Sequence, residues 1–198
     1  MLEIVKGCTV PNSELLSEQY EIEGNRIIAN VNASKIEMVF QHFVTMQEER
    51  LFFILELPVN EEDEKRLRSD EISPFHKNIY YIDGLDIEQA LLILNRYGEL
   101  LINDGMSGFG FGLHDNSAEI MLYKYNMISL WTNKIDKYED FFVKHDIPCV
   151  DRCFTAWDTF SQETPGICSS IDIEGMSVYD LPKELKNWGI YLAEQREE

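Results

Sequence analysis

Residues 108–131 read GFGFGLHDNSAEIMLYKYNMISLW, and the expected fold class follows from this segment. Glycine alternates with large apolar residues over 108–113, and a second alternating run covers 118–125. Because successive side chains of a strand point to opposite faces of a sheet, both runs predict half-buried strands. The polar residues 114–117 supply a turn, and the apolar run 127–131 predicts a third strand. Three strands joined by short turns indicate an antiparallel meander.

The residues before the meander predict strands that alternate with amphipathic helices. Two short apolar runs, 20–22 and 27–31, flank a Gly-Asn turn and are typical of a hairpin. Ser34 followed by Glu37 matches a capping box, so we expect a helix to begin there. Residues 51–57 are apolar on both parities, which predicts an interior strand covered on both faces.

Charge and periodicity place the elements on either side of the meander. Residues 60–73 carry many charges and almost no apolar residue, so they predict a solvated helix or loop. A strand is expected over 78–82, and Asp86 with Gln89 predicts the capped start of a long helix. After the meander, residues 136–145 have the spacing of one helical face.

The C-terminal part of the chain has a weaker pattern. Residues 167–173 predict a strand, and an amphipathic helix with Asp180 as its cap is expected from the stripe Leu181, Leu185, Trp188 and Leu192. Grouped strands and helices of this kind predict an α+β fold, with a mainly antiparallel sheet and helices packed on one side. We expect one domain over residues 1–198, or one domain with an elaborated C-terminal segment, 148–198.

The composition is strongly acidic, with 36 Asp and Glu against 17 Lys and Arg, a formal net charge of −19 on 198 residues. Nucleic-acid binding depends on a basic surface, so direct binding of DNA or RNA is disfavoured. No window reaches the roughly 18 apolar residues of a membrane span, and the N-terminus carries no apolar signal region. The four cysteines are few and unevenly spaced, which favours reduced thiols. We therefore expect a cytoplasmic protein without membrane contact.

Three glycines, Gly108, Gly110 and Gly112, form a glycine strip on one face of the first meander strand. A dinucleotide-binding loop would need a further glycine at position 113 and a helix beginning there, and the sequence offers neither. A strip without side chains allows another element to approach closely. We expect either a helix of the same domain or an external ligand to cover it.

A histidine and three cysteines in the C-terminal part of the chain are candidate zinc ligands. His145, Cys149, Cys153 and Cys168 supply the ligand types that zinc prefers, but the x3 gaps differ from the usual paired C-x2-C arms. Small buried thiols explain these residues better, with redox chemistry as the other alternative. We predict no metal site and no cofactor.

Catalytic signatures are absent from the sequence. His114-Asp115 and His145-Asp146 are adjacent pairs, but neighbours in sequence point apart, and a general base needs a nucleophile within hydrogen-bond reach. We therefore assign no catalytic residue. The alternative is a small hydrolase or transferase that uses the His114 turn, because functional residues favour loops held by a rigid sheet.

Aromatic residues of the second meander strand are the best candidates for an interface. Met121, Tyr123 and Tyr125 share one face, and either the domain's own helices cover them or they bind a partner. The predicted partner-binding residues are Glu119, Met121, Tyr123, Tyr125, His114 and Asp115. If Tyr125 faces outward, Tyr125→Ala should weaken partner binding by about 2 kcal/mol with the fold intact. A core tyrosine would instead lose about 3–5 kcal/mol of stability.

The chain resembles the small acidic immunity proteins of bacterial toxin systems in its size, its acidity and the hairpin region Gly108–Trp131. That resemblance implies an α+β domain that binds and blocks a secreted toxin, and it transfers no functional position residue by residue. The leading hypothesis is therefore a non-enzymatic module that binds a basic protein, such as a toxin domain, by electrostatic steering and aromatic anchoring. The enzyme of the His114 turn and a homodimeric regulatory subunit are the alternatives.

Overall fold

The computed structural model describes residues 1–68 and 74–197. The strands are β1 (Cys8–Thr9), β2 (Gln19–Glu23), β3 (Arg26–Asn30), β4 (Leu51–Pro58), β5 (His76–Leu85), β6 (Gly108–Leu113), β7 (Ala118–Tyr123), β8 (Met127–Thr132), β9 (Ile167–Cys168) and β10 (Tyr191–Glu197). The helices are α1 (Ala33–Thr45), α2 (Glu61–Leu67), α3 (Ile87–Asn103), α4 (Ile135–Lys144) and α5 (Leu181–Glu184), with short 3-10 turns that include Ala156–Thr159 and Leu185–Trp188. In these described ranges no helix combines the length and the apolar character needed to cross a membrane.

Eight strands form one antiparallel sheet in the order β10-β5-β4-β6-β7-β8-β3-β2. The meander of β6, β7 and β8 and the hairpin of β2 and β3 pair as the sequence predicts. Strands β1 and β9 form a separate two-stranded sheet. The predicted α+β class, with a mainly antiparallel sheet and helices, is confirmed.

One face of the large sheet holds the main hydrophobic core beneath α1 and α3, which pack on each other. The apolar alternation of β6 explains this packing, because Phe109 and Phe111 point toward α1. Phe40 of α1 stacks on Phe109 with ring centroids 4.7 Å apart. Strand β4 is buried along almost its whole length, which confirms it as an interior strand.

The opposite face of the sheet is not covered at its centre by any helix of the described ranges, and we call it the open face. Cross-strand register places the following residues in one row across it: Glu21, Ile28, Ser129, Met121, Gly110, Ile54, Tyr81 and Tyr191. A neighbouring row contains Arg26, Trp131, Glu119, Gly112 and Phe52. A small cluster of Phe52, Ile54, Ile79 and Met121 packs on this face apart from the main core.

The segment 148–160 closes one end of the open face. Its backbone extends the β2 edge, since the Tyr20 amide donates to the Pro148 carbonyl at 3.0 Å. The Phe154 carbonyl accepts hydrogen bonds from the side-chain amides of Gln19 and Asn30 at 3.0 and 2.7 Å. The open surface therefore extends from Trp131 and Tyr123 toward β10.

The C-terminal prediction is wrong in its second half. Leu181 and Leu185 are buried in a short helical segment, as the stripe suggests, but the helix does not reach Leu192. Gly189 has a φ of 84°, a left-handed conformation that ends helices. The chain then continues as β10, the edge strand beside β5.

Smaller differences concern element boundaries. The predicted strand over 167–173 is only Ile167–Cys168, and α1 begins at Ala33 after Asn32. The expected surface element over 60–73 contains α2, whose Asn60 side chain accepts from the amides of Glu62 and Asp63. The rest of that prediction, residues 69–73, lies outside the described residues.

Candidate functional site

Four of the six predicted binding residues lie on or beside the open face. Glu119, Met121 and Tyr123 alternate along β7 with their side chains on this side of the sheet. His114 follows β6 at the end of the same face, where its ring lies 5.3 Å from that of Phe52. Asp115 is exposed in the turn between β6 and β7, and its carboxylate accepts a hydrogen bond from the Ser117 amide at 2.9 Å.

Tyr125 does not face outward with Tyr123, so that expectation is wrong. Strand β7 ends at Tyr123, and both Tyr125 and Asn126 have positive φ, at 62° and 64°. This reversal turns the Tyr125 ring into the protein, where it is only 6% exposed. The ring packs edge-on against Trp157 and Phe160, with centroids 5.3 and 5.0 Å away. Burial raises the pKa of the Tyr125 phenol above its ordinary value.

The glycine strip faces away from α1 and α3, so the expectation that a helix covers it is also wrong. Side chains of the flanking strands cover it instead. A methyl group on Gly112 would overlap the Phe52 ring, and one on Gly110 would overlap the Met121 sulfur. Phe52 and Met121 are consequently only 7% and 2% exposed. The strip leaves room for these two large side chains to pack over it.

An aromatic row borders the β10 side of the open face. The Phe52 ring lies 5.4 Å from Tyr81, which stacks on Tyr191 with centroids 6.5 Å apart. Asp83 fixes the end of this row, because its carboxylate oxygens contact His114 Nε2 at 3.2 Å and accept from the Tyr191 hydroxyl at 2.7 Å. One carboxylate thus ties β5 and β10 to the turn after β6.

His114 has the carboxylate partner that a catalytic histidine needs, but the nucleophile is missing from the described residues around it. Nucleophilic catalysis needs a hydroxyl or thiol within hydrogen-bond reach of the base. None of the described residues offers such a group to His114, and the Tyr191 hydroxyl is bonded to the far oxygen of Asp83. The arrangement orients an exposed imidazole and supplies only part of a hydrolytic site.

A buried carboxylate lies at the other end of β4. Glu56 accepts from Lys77 Nζ at 2.7 Å and from Arg196 Nη2 at 3.0 Å, so its charge is compensated from β5 and β10. A cavity of about 200 Å³ adjoins it, and its wall includes Tyr123, Met127 and Trp157. Burial, and then the Glu56 and Glu119 carboxylates, raise the pKa of Tyr123. The Tyr123 phenol therefore stays protonated at neutral pH.

Glu119 lies on the open face near the turn between β6 and β7, as the second residue of β7. It is directly opposite Trp131 of β8, which is 46% exposed and itself opposite Arg26 of β3. Glu119 is exposed on this face, and partial desolvation, followed by the Glu56 carboxylate, raises its pKa. Within residues 1–68 and 74–197 no lysine, arginine or histidine pairs with it, and Arg26 Nε donates to Ser129 Oγ at 3.0 Å.

The sequence pattern does not single out five residues of this face, namely Phe52, Tyr81, Asp83, Trp131 and Tyr191. Trp131 has a usable signal, because it shares the parity of Ser129 on an alternating strand. Tyr191 has none, since its place depends on the pairing of β10 with β5, a strand far from it in sequence.

The histidine and cysteines considered above as zinc ligands, His145, Cys149, Cys153 and Cys168, do not come together as one group. Cys168 lies opposite Cys8 in the small sheet, whereas the Cys153 thiol lies near the Gln19 carbonyl of β2. In the described part of the chain, no three His, Cys, Asp or Glu side chains are placed to hold a metal ion.

Comparisons of this chain with protein-family models, with curated proteins and with solved structures find no match. Any function must therefore be argued from the surface geometry. The distinctive geometry is a sheet face with exposed Trp131 and Tyr191, partly buried Tyr81 and Tyr123, and an exposed Glu119 carboxylate that pairs with no cation of the described residues.

Proposed function

We propose that the chain is a non-enzymatic protein-binding module whose open face binds a basic protein. The observation that carries the proposal is the Glu119 carboxylate, unpaired among the described residues, beside the exposed Trp131 indole. Glu119 is exposed, so a partner can reach its carboxylate, and no cation of the described residues has to be displaced first. A partner's cation at this position would form a new charge-assisted contact on binding.

Arginine or lysine is the partner side chain that best suits this site. A guanidinium group can pair with a carboxylate and at the same time stack on an aromatic ring. Glu119 and Trp131 offer both surfaces on adjacent strands. Tyr123, in the same strand as Glu119, offers a second ring and a protonated phenol as hydrogen-bond donor.

The net charge of −19 adds a long-range attraction to the short-range contacts. Such a field raises the association rate of a basic protein, while desolvated aromatic side chains slow its dissociation. Aromatic residues and arginine are also the types enriched in protein interfaces.

The face is organised before any partner binds. Hydrogen-bonded strands carry its residues, Asp83 fixes His114 and Tyr191, and Phe52 and Met121 are held over the glycine strip. Little conformational entropy would then be lost in binding. The resemblance to immunity proteins makes a secreted toxin domain the partner class to test first.

The experiment is affinity capture from the native host with wild-type protein and two matched pairs of variants. Glu119→Gln is paired with Glu88→Gln, which removes an exposed carboxylate on α3 at the helix side. Trp131→Ala is paired with Leu92→Ala, which truncates a similarly exposed apolar residue of α3. The captured protein is identified, purified and titrated against all five proteins.

We expect a basic partner whose affinity falls roughly tenfold for Glu119→Gln and for Trp131→Ala and stays within about twofold for the two controls. Equal losses in the controls, or binding that both open-face variants retain, would contradict the proposal. Sedimentation of the free protein separates the homodimer alternative, because a dimer through this face would dissociate in the same two variants.

A further inference from the structure

Two cysteines far apart in sequence face each other in the small sheet. Cys8 of β1 and Cys168 of β9 are direct cross-strand partners, and their sulfur atoms are 3.7 Å apart. The Cys8 amide donates to the Val5 carbonyl, and the neighbouring Ser169 amide donates to the Gly7 carbonyl. Cys8 and Cys168 thus occupy a non-hydrogen-bonded pair, where α-carbons are about 4.5 Å apart. That spacing lies within the range of about 4.4–6.8 Å seen for disulfides.

Backbone hydrogen bonds hold the two strands in register. The Gly7 amide donates to the Asn103 carbonyl at 2.7 Å, and the Gly105 amide donates to the Ser169 carbonyl at 3.0 Å. Asp104 accepts from the Ser170 hydroxyl at 2.8 Å and so fixes the chain just after Cys168. A side chain on Gly7 or Gly105 would overlap the backbone of the other. These backbone contacts therefore hold the two thiols close together.

The two thiols differ in exposure and in acidity. Cys8 is buried, whereas Cys168 keeps part of its surface in solvent. The hydrogen bond from Cys8 lowers the pKa of Cys168, burial opposes this, and Tyr125 and Lys124 lower it further while Asp104 raises it. The same hydrogen bond, and then burial, raise the pKa of Cys8. A thiolate is accordingly favoured on the accessible sulfur, with a protonated thiol beside it.

We propose that Cys168 and Cys8 form a reactive dithiol that exchanges with low-molecular-weight disulfides such as glutathione disulfide. The Cys168 thiolate attacks one sulfur of glutathione disulfide, the S–S bond breaks, and one glutathione thiolate leaves. Cys8 then loses its proton to solvent and attacks the Cys168 sulfur, which releases the second glutathione. Two electrons pass from the protein to the disulfide, and excess glutathione reverses both steps.

The other cysteines serve as internal references. Cys149 is exposed. Cys153 is buried, and burial raises its pKa to about 11. Solvent exposure alone would make Cys149 the most reactive thiol, whereas the dithiol predicts that Cys168 reacts first.

The test treats the full chain with glutathione disulfide at neutral pH, traps free thiols by alkylation and maps the products by mass spectrometry. Wild-type protein should lose two hydrogen atoms and give a peptide cross-linked between Cys8 and Cys168. Cys8→Ser should instead accumulate one glutathione adduct on Cys168, since no resolving thiol remains. Cys168→Ser should leave Cys8 unmodified.

A second measurement keeps the proposal testable if a variant fails to fold. Alkylation rates of the wild-type cysteines are followed by peptide mapping across pH. Cys168 should react at least about tenfold faster than Cys149 at neutral pH, with a midpoint below the ordinary thiol pKa of about 8.5. Slower reaction of Cys168 than of Cys149, or glutathione adducts on Cys168 in wild-type protein without a cross-link to Cys8, would overturn the proposal.

Discussion

At the residue scale, the three glycines of the strip differ in the space that each leaves for a side chain. A Cβ on Gly110 would overlap the backbone carbonyl of Ile120, which cannot move independently of β7. On Gly112 it would overlap the end of the Phe52 ring, a side chain that can shift more easily than a backbone can, and on Gly108 it would lie 3.4 Å from the Leu122 carbonyl.

We therefore predict that Gly110→Ala destabilises the protein most, by about 2–3 kcal/mol, with Gly112→Ala intermediate and Gly108→Ala nearly neutral. Chemical denaturation of the three variants measures the series. Equal losses at all three positions would show that overlap with the neighbouring strand does not govern tolerance in β6.

Tyr123 and Tyr125 form a matched pair with opposite environments. Tyr125→Ala should lower the free energy of unfolding by about 3–5 kcal/mol, because the ring is buried against Trp157 and Phe160. Tyr123→Ala should lower it by less than about 2 kcal/mol, since Tyr123 is partly exposed, and should weaken partner binding. Thermal melts and partner titrations on both variants measure these effects. A larger loss of stability for Tyr123→Ala than for Tyr125→Ala would contradict the two environments.

The sequence separates these two tyrosines poorly, because alternation alone places both of them on the same face as Met121. Met121 and Tyr123 do follow the alternation, since both lie within β7. Tyr125 departs from it because the chain reverses at Tyr125-Asn126 with positive φ at both residues. The Asn126 amide group, bonded to Val5, Glu3 and Val31, fixes that reversal through contacts distant in sequence.

At the element scale, β10 protects the edge of the sheet. It covers the backbone of β5, contributes Arg196 to buried Glu56 and places the Tyr191 hydroxyl on Asp83. Its outer edge carries charged residues, which discourage pairing with other chains.

We predict that truncation after Gly189 lowers the melting temperature and promotes self-association. The truncated chain would expose β5 as a new edge and leave Glu56 with Lys77 as its only remaining cationic partner among the described residues. Thermal melts and sedimentation measure the two effects. Gly189→Ala, with β10 intact, is the control and should lose only about 1 kcal/mol for its left-handed φ. An unchanged melting temperature after truncation would show that β10 does not stabilise the sheet.

Local signals explain which elements the sequence predicts. Asp86 and Gln89 form the expected capping box of α3, with hydrogen bonds of 2.8 and 3.0 Å in both directions. The C-terminal stripe fails because Leu192 continues a helical spacing by coincidence beyond Gly189. Pairing with β5 supplies the stability of β10, and no pattern within 191–197 reveals that partner.

At the scale of the whole molecule, the net charge of −19 makes stability depend on salt and pH. Mutual repulsion among carboxylates weakens the compact state, so added salt should raise the melting temperature at neutral pH. Glu119 has a raised folded pKa, so its penalty is present at neutral pH and is relieved as pH falls toward about 4.3.

The opposite sign applies to acids with lowered folded pKa values, such as Asp158 and Asp180, which accept hydrogen bonds from Thr155 and Ser177. Their contribution is present above the unfolded value of about 3.9 and is lost as pH falls through the folded pKa. Melting temperature should therefore rise from pH 7 toward about 5 and fall below about 4. A steady decline from neutral pH, or no gain from moderate salt, would contradict this profile.

The open face as a whole could be predicted only in part. Glu119, Met121 and Tyr123 follow from alternation within one strand, and His114 from its place in the turn after β6. The complete face forms only when the eight strands pair, because this pairing brings Tyr191 beside Tyr81 and Trp131 beside Glu119. Those neighbours are distant in the chain or set by register, which a single sequence does not specify.

Binding through the open face is tested most directly by comparing Glu119→Gln with Glu88→Gln in binding to the purified basic partner at low and high ionic strength. Both variants lose one negative charge, so the change in net charge is the same in each. If the partner binds the open face, only the complex of Glu119→Gln should dissociate faster, by roughly tenfold, because only this variant loses the contact beside Trp131. Equal dissociation rates for the two variants would contradict binding through this face.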